Sequence, residues 1–163
     1  MTHTAYSKGF TLLEVMIALV IFSIGLLGLA GLQGISVQNN QVAFSRTVAN
    51  QLAYDMADRI RNNKAGDYTV SIPGSATSCI TSSADCNANA LALYDLYDWN
   101  RTLNDAKNNL SNVVGTVTRN GSVYTITIAW DEKNLGLAKS SYDCTTTPPT
   151  PAGLECVKLE VMP

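Results

Sequence analysis

The sequence has only one histidine, His3, in its 163 residues. Ser–His–Asp catalysis, Cys–His catalysis and histidine-rich metal sites all require an imidazole. Because His3 lies within the first nine residues, a chain that lost them would have no imidazole at all. Charge is also scarce: 15% of the residues are charged and the net charge is −2, which does not indicate a nucleic-acid-binding protein. We therefore predict no enzyme activity, no cofactor and no metal site.

A long stretch without charge lies near the N-terminus. Val15 to Leu32 contains no charged residue, and about 18 helical residues span about 27 Å, close to the thickness of the bilayer core. A secretory signal peptide would be followed by a small-x-small cleavage site, which this stretch lacks. Lys8 precedes the stretch, and the next charge downstream is Arg46. The positive-inside bias predicts a cytoplasmic N-terminus and an exported remainder.

Glu14 is the exception at the start of this apolar stretch. A carboxylate costs about 2.5–3.5 kcal/mol at mid-bilayer on insertion scales, and less near the edge. One interpretation is that Glu14 reaches the membrane interface and helps to begin the helix. The other is that it pairs with a cation, and a cut behind Gly9 would create one, the α-amine of Phe10. The residue alone does not decide between the two.

The motif KGFTLLE at residues 8–14 resembles the class III signal of type IV pilins and type II secretion pseudopilins. The resemblance implies that a prepilin peptidase cuts after Gly9 and methylates Phe10. It also implies that Glu14 helps to dock each subunit onto its neighbour's amino group. The implied partners are the peptidase, other major and minor pilins, the inner membrane and the pilus assembly machinery.

The apolar stretch continues into an amphipathic one. No proline occurs from Ser36 to Lys64, and apolar residues recur at i, i+4 spacing with alanines beside them, which predicts a helix with one apolar face. We expect one helix over residues 11–62, with Gly66 as a stop. The apolar stripe consists of Val48, Leu52, Met56 and Ile60, flanked by Ala49, Ala53 and Ala57.

The end of this helix carries a basic cluster, Arg59, Arg61 and Lys64. Contact with DNA is one interpretation. Pairing within the helix is favoured, because Asp55 precedes Arg59 by four residues, Asp58 precedes Arg61 by three, and cations suit a helix C-terminus. Residues 52–63 (LAYDMADRIRNN) and 23–33 (SIGLLGLAGLQ) look like the PilV group of minor pilins, the type IV pilus modification proteins.

The remainder predicts a small α+β domain. A helix is expected over residues 90–107. Two β-rich runs, 113–118 and 123–130, flank Asn120-Gly121 and predict a hairpin, and residues 156–161 alternate again as a last strand. We expect Tyr124, Ile126, Ile128 and Trp130 to face the long helix. The predicted fold is a helix spine packed on an antiparallel sheet of three or four strands, which is also the roll that the pilin resemblance implies.

All four cysteines lie well after the apolar stretch, at position 79 and beyond. An even number of cysteines in an exported domain predicts disulfides, whereas a zinc site would need CxxC spacing or a histidine. Four cysteines allow three pairings, and we favour the two that close short loops. These pairs are Cys79–Cys86 and Cys144–Cys156, and the second corresponds to the C-terminal disulfide-bounded loop that the pilin resemblance implies.

These observations predict four segments: a leader (1–9), a membrane or filament-core half-helix (10–35), an amphipathic half-helix (36–64) and a globular head (65–163). The predicted function is that of a minor pilin, in the inner membrane with its head in the periplasm before assembly and in the surface filament afterwards. A minor pseudopilin of a type II secretion system is the alternative. A tip subunit that binds DNA or a surface is a second alternative, although a nucleic-acid partner is not expected.

Overall fold

The structure is a computed structural model that describes residues 9–75, residue 79 and residues 86–163. The predicted leader lies almost wholly outside the described residues. The chain divides into two compact units, one ending at Gln41 and the other formed by Val42–Pro163, which we call the outer unit. Of the described helices, one is long and apolar enough to cross a membrane, judged by length and composition.

That helix, α1, runs from Leu12 to Asn62, so the predicted range is confirmed to within one residue. Thr11 precedes it as the N-cap, and its hydroxyl accepts a hydrogen bond from the backbone N–H of Glu14 at 3.3 Å. A hydroxyl in this position satisfies one of the N–H groups that a helix start leaves unpaired. Every residue of α1 up to Gln41 is exposed to solvent, so this half packs against none of the other residues that the structure describes.

The prediction that Gly66 stops the long helix is wrong. The helix ends at Asn62, four residues earlier, and Gly66 is instead a point of close approach between chain segments. A Cβ atom there would lie 2.9 Å from the carbonyl oxygen of Ala88 and 3.0 Å from the side chain of Ala92. Glycine is needed at this position because a side chain would push away the start of the second helix.

The second helix, α2, spans Ala88–Asp105 and is followed by a short 3₁₀ helix, Ala106–Asn108. Asn87 is the N-cap of α2, and its side chain accepts a hydrogen bond from the N–H of Ala90 at 2.9 Å. The predicted range of 90–107 therefore identified this helix with an error of two residues at each end.

Three strands form one antiparallel sheet in the order β1-β2-β3: β1 is Val114–Asn120, β2 is Val123–Asp131 and β3 is Leu154–Val161. The hairpin is confirmed, but Asn120 pairs with Val123, so the central turn residues are Gly121 and Ser122. Gly121 has a φ of 61°. Glycine at the first central position of a two-residue turn allows this positive φ and matches the twist of the strands.

The core of the outer unit lies between the sheet, α2 and the last four turns of α1. The predicted apolar stripe is confirmed, since Leu52, Met56 and Ile60 are buried and Val48 packs against them. The indole Nε1 of Trp99 donates a hydrogen bond to the carbonyl oxygen of Leu52 at 2.8 Å, which joins α2 to α1. The other buried side chains include Leu96, Leu103, Tyr124, Ile126, Ile128, Trp130 and Val161.

Candidate functional site: the start of the long helix

Phe10 and Glu14 lie at the exposed start of α1. Phe10 precedes the first helical turn and is 82% exposed. Glu14 lies in the first turn, where a negative charge interacts favourably with the helix dipole. Both side chains border one shallow hollow on the helix surface, together with Val15, Ala18, Leu19 and Phe22. The only polar side chain of the hollow is therefore the carboxylate of Glu14.

The carboxylate of Glu14 has no salt bridge or side-chain hydrogen bond within the part of the chain that the structure describes. In a capping box the glutamate three residues after a threonine cap would return a hydrogen bond to the backbone N–H of that threonine. Here only the hydroxyl of Thr11 takes part in capping. The carboxylate is thus free to accept a cation from outside the chain.

Residues 4–30 match a family model described as the prokaryotic N-terminal methylation motif. The match covers Gly9, Phe10 and Glu14. This motif supports a type IV pilin-like or pseudopilin protein, a structural subunit that a prepilin peptidase processes, and it agrees with an apolar N-terminal helix that anchors the chain in a membrane. No curated protein and no solved structure matches the chain significantly.

The cysteines form two disulfides, Cys79–Cys86 and Cys144–Cys156, with sequence separations of 7 and 12. These are the two short-loop pairs that the spacing favours. We call the second one the C-terminal disulfide. It joins the chain between β2 and β3 to β3 itself, because Cys156 lies in β3 opposite Ala129.

The basic cluster at the end of α1 is largely neutralised. Arg59 donates to Asp55 at 3.1 Å, as predicted, and also to Asp98 at 2.9 Å and Asp95 at 3.5 Å on α2. Arg61 donates to Asp58 at 2.9 Å. The hydrogen bond from Arg59 lowers the pKa of Asp98. Two of the three cations therefore pair with carboxylates, which weakens the case for phosphate contacts.

Tyr68 extends this network into the core. Its hydroxyl donates to the carboxylate of Asp95 at 2.7 Å and accepts from the side-chain amide of Asn63 at 3.2 Å. Burial and the neighbouring Asp95 raise the pKa of Tyr68, so it stays protonated across the physiological range. No sequence pattern indicated this network, because its members on α2 are 36 and 39 residues away from Arg59.

Asp131 and Glu132 do not form an acid–base pair. Asp131 is buried, and its Oδ2 accepts from the N–H of Leu137 at 3.1 Å, whereas Glu132 accepts from the indole of Trp130. Burial opposes ionisation of Asp131, but the N–H groups of residues 133–137 outweigh it and lower the pKa of Asp131. The second oxygen, Oδ1, is buried without a hydrogen-bond partner among the residues that the structure describes. Asp131 thus anchors the loop after β2.

Proposed function

We propose that this chain is a minor pilin of a type IV pilus, which enters the filament to support its assembly, priming or modification. The observation that supports this most directly is the carboxylate of Glu14 beside Phe10, within a methylation motif and without a side-chain partner among the residues that the structure describes. An ionised side chain in an apolar environment needs a partner. A cut behind Gly9 would supply one as the new α-amine of Phe10.

The chemistry of the proposed site is docking rather than turnover. Cleavage of the Gly9–Phe10 bond leaves an ammonium group on Phe10, and the Glu14 carboxylate of one subunit accepts hydrogen bonds from the ammonium of its neighbour. Both charges would otherwise be unpaired in an apolar filament core. Such a buried pair fixes the relative position of two helices more reliably than it adds net stability. Glu14 therefore specifies how far the helix of one subunit is shifted along that of the next.

A minor pseudopilin of a secretion system would use the same motif and the same pairing. Two features favour the pilus: the helix-end sequence at residues 52–63, which looks like that of PilV-type minor pilins, and an outer unit with two disulfides. A DNA-binding tip subunit is less favoured, because Arg59 and Arg61 are paired with aspartates.

Mass spectrometry of the membrane-associated chain tests the processing step. We expect a mature N-terminus at Phe10 that carries one methyl group on its amine. In cells that lack the prepilin peptidase, the same chain should retain residues 1–9. An intact leader in wild-type cells with active peptidase would contradict the proposal.

Glu14→Gln and Glu14→Ala test the docking step in sheared pilus fractions. We expect both variants to reach the membrane in normal amounts and to be depleted from the filament at least about tenfold, since a lost charge pair in an apolar site costs about 1.4 kcal/mol or more. Asp105→Ala is the matched control, because it removes an exposed carboxylate at the end of α2. Normal incorporation of Glu14→Ala would refute the docking role, and incorporation into a secretion pseudopilus instead would favour the alternative.

A further inference from the structure

The face of the sheet that points away from the core is rich in threonine. Thr116 on β1 lies opposite Thr127 on β2, which in turn lies opposite Lys158 on β3. Thr118 and Thr125 form the next row. Side chains directly opposite each other on one face have Cβ atoms about 4.5–5.5 Å apart. Four hydroxyl groups and one ammonium group are therefore gathered within a small area.

A wall formed by residues 139–145 borders this threonine face. The C-terminal disulfide fixes one end of the wall to β3. The hydroxyl of Tyr142 donates to the carbonyl oxygen of Asn112 at 3.2 Å, and the ammonium of Lys139 donates to that of Val113 at 3.0 Å. Three separate attachments hold the wall beside the sheet, so the space between them is built into the fold.

The wall and the threonine face enclose a groove of about 380 Å³. That volume lies within the range of about 300–1,000 Å³ that is typical of small-molecule sites. Val114 and Ala129 supply an apolar part of the lining, and the side chain of Tyr142 borders the opening. Each threonine hydroxyl can both donate and accept a hydrogen bond, so the lining matches a ligand that carries many hydroxyl groups.

The charges of the groove favour an anionic ligand. Lys158 forms no salt bridge within the residues that the structure describes. The described lining carries two ammonium groups, Lys139 and Lys158, and one carboxylate, Asp143. The N–H and the hydroxyl of Thr145 donate to Asp143 at 2.7 and 2.6 Å, and together with the charge of Lys158 they lower the pKa of Asp143, which therefore stays ionised. Glu160 lies one row further along, opposite Thr125, and does not line the groove. Two cations against one carboxylate leave the lining net positive, and Lys158 is the exposed ammonium on the threonine face.

We propose that this groove binds a short acidic saccharide. The ring hydroxyls hydrogen-bond to Thr116 and Thr127, the apolar face of a sugar ring lies against Tyr142, and a sugar carboxylate pairs with Lys158. An extended peptide fits less well, because peptides pair with the edge of a sheet and need pockets for alternate side chains, whereas this groove lies on the face of the sheet and has a hydroxyl-rich lining.

This inference concerns the outer unit alone and does not depend on entry into a filament. Binding is measured on the purified full chain, whereas the proposed function is measured by N-terminal processing and incorporation. Failure of one therefore does not imply failure of the other.

The test is titration calorimetry on the full chain in a detergent without sugar headgroups. The probes are tetragalacturonate, its fully methyl-esterified form, and tetraglutamate, which carries similar charge without sugar rings. We expect tetragalacturonate to bind and the other two to bind at least about tenfold more weakly, since a charge-assisted contact and several hydroxyl contacts are each worth roughly that factor.

Two variants locate the site. Lys158→Gln should weaken tetragalacturonate binding about tenfold, because it removes the charged contact. The double variant Thr116→Val with Thr127→Val should weaken it by a similar factor of about ten while keeping β-branched side chains in the sheet. Lys107→Gln, which removes an exposed charge outside the groove, should bind as the wild type does. Thermal melting confirms that each variant is folded.

Any of four results would overturn the proposal: no binding of tetragalacturonate, equal binding of its methyl ester, equal binding of tetraglutamate, or equal effects of the Lys158 and Lys107 variants. Equal binding of the ester would show that charge is not recognised. Equal binding of tetraglutamate would show that charge alone is recognised and that the groove is not a saccharide site.

Discussion

Gly115 is the position where the smallest added group should do the most damage. It lies in β1 and faces α2 across the core. A Cβ atom there would lie 2.5 Å from Cδ1 of Leu103 and 2.6 Å from Cζ3 of Trp99, far inside van der Waals contact. Trp99 cannot simply move aside, because its indole is held by the hydrogen bond to the carbonyl oxygen of Leu52.

The expected cost of Gly115→Ala follows from two opposing terms. Forcing an extra methyl group into a packed core costs about 1–3 kcal/mol. Alanine recovers about 0.5–1 kcal/mol, because it restricts the unfolded chain more than glycine does. Because core atoms of both Trp99 and Leu103 lie within 2.6 Å of the added group, the upper part of the cost range applies, about 2–3 kcal/mol. The net loss in the free energy of unfolding is then about 1–2.5 kcal/mol, which lowers the Tm of a unit of this size by about 4–10 °C.

Thermal melting of the full chain, followed by tryptophan fluorescence, measures this loss. Gly74→Ala is the matched control, since a Cβ atom there meets nothing within 4 Å, and its Tm should not fall. Adding Leu103→Ala should partly relieve the clash, so the double variant should lose less than the two single variants together. A Gly115→Ala protein as stable as the wild type would refute the packing argument.

Four further predictions concern the electrostatics and covalent links of the outer unit. Arg59→Met should lower the free energy of unfolding by about 2 kcal/mol, because it leaves partly buried carboxylates without their cation; urea titration checks this. The pKa of Asp98 is lowered in the folded chain by Arg59, so its contribution to stability is complete above its unfolded pKa of about 3.9 and is lost as the pH falls through the folded value. The Tm of the wild type should therefore fall more steeply below about pH 4 than that of Arg59→Met. Asp131→Asn should cost about 1–3 kcal/mol, since an amide would present a donor to the N–H groups that surround this side chain. Replacing Cys144 and Cys156 by serine should cost about 2–4 kcal/mol, and reducing agent should then have a smaller effect on the Tm than it has in the wild type.

Local sequence patterns predicted the helices and strands, and the errors in those predictions lie at the ends of each helix or strand. The apolar stripe of α1 and the alternation of β2 were correct because each depends only on the period of one element. The hairpin was also predicted correctly, between the runs that flank residues 119–122. Its exact turn, Gly121 and Ser122, follows from the pairing of Asn120 with Val123.

Contacts that join distant segments could not be predicted in the same way. The charge partners of Arg59 on its own helix were found from spacing, but Asp95 and Asp98 were not, because only the packing of α2 on α1 brings them close. The alternation of β2 places Thr125 and Thr127 on the face opposite Ile126, yet nothing in the sequence indicated that a loop would cover one side of that face. That cover depends on the C-terminal disulfide and on tertiary hydrogen bonds.

The two units of this chain differ in what they bury, so a substitution in one unit can be tested separately from a substitution in the other. The outer unit buries its own core, including Trp99 and Ile128, and has its own disulfides. Within the described residues, the start of α1 exposes every apolar side chain up to Gln41, and such a surface is suited to lipid or to other helices. A change at Glu14 should therefore reduce incorporation without moving the Tm of the outer unit, whereas Gly115→Ala should lower the Tm without changing the methylation of Phe10. A Glu14 variant whose Tm falls as far as that of Gly115→Ala would show that the outer unit is not independent, and the docking role would then have to be separated from simple loss of folding.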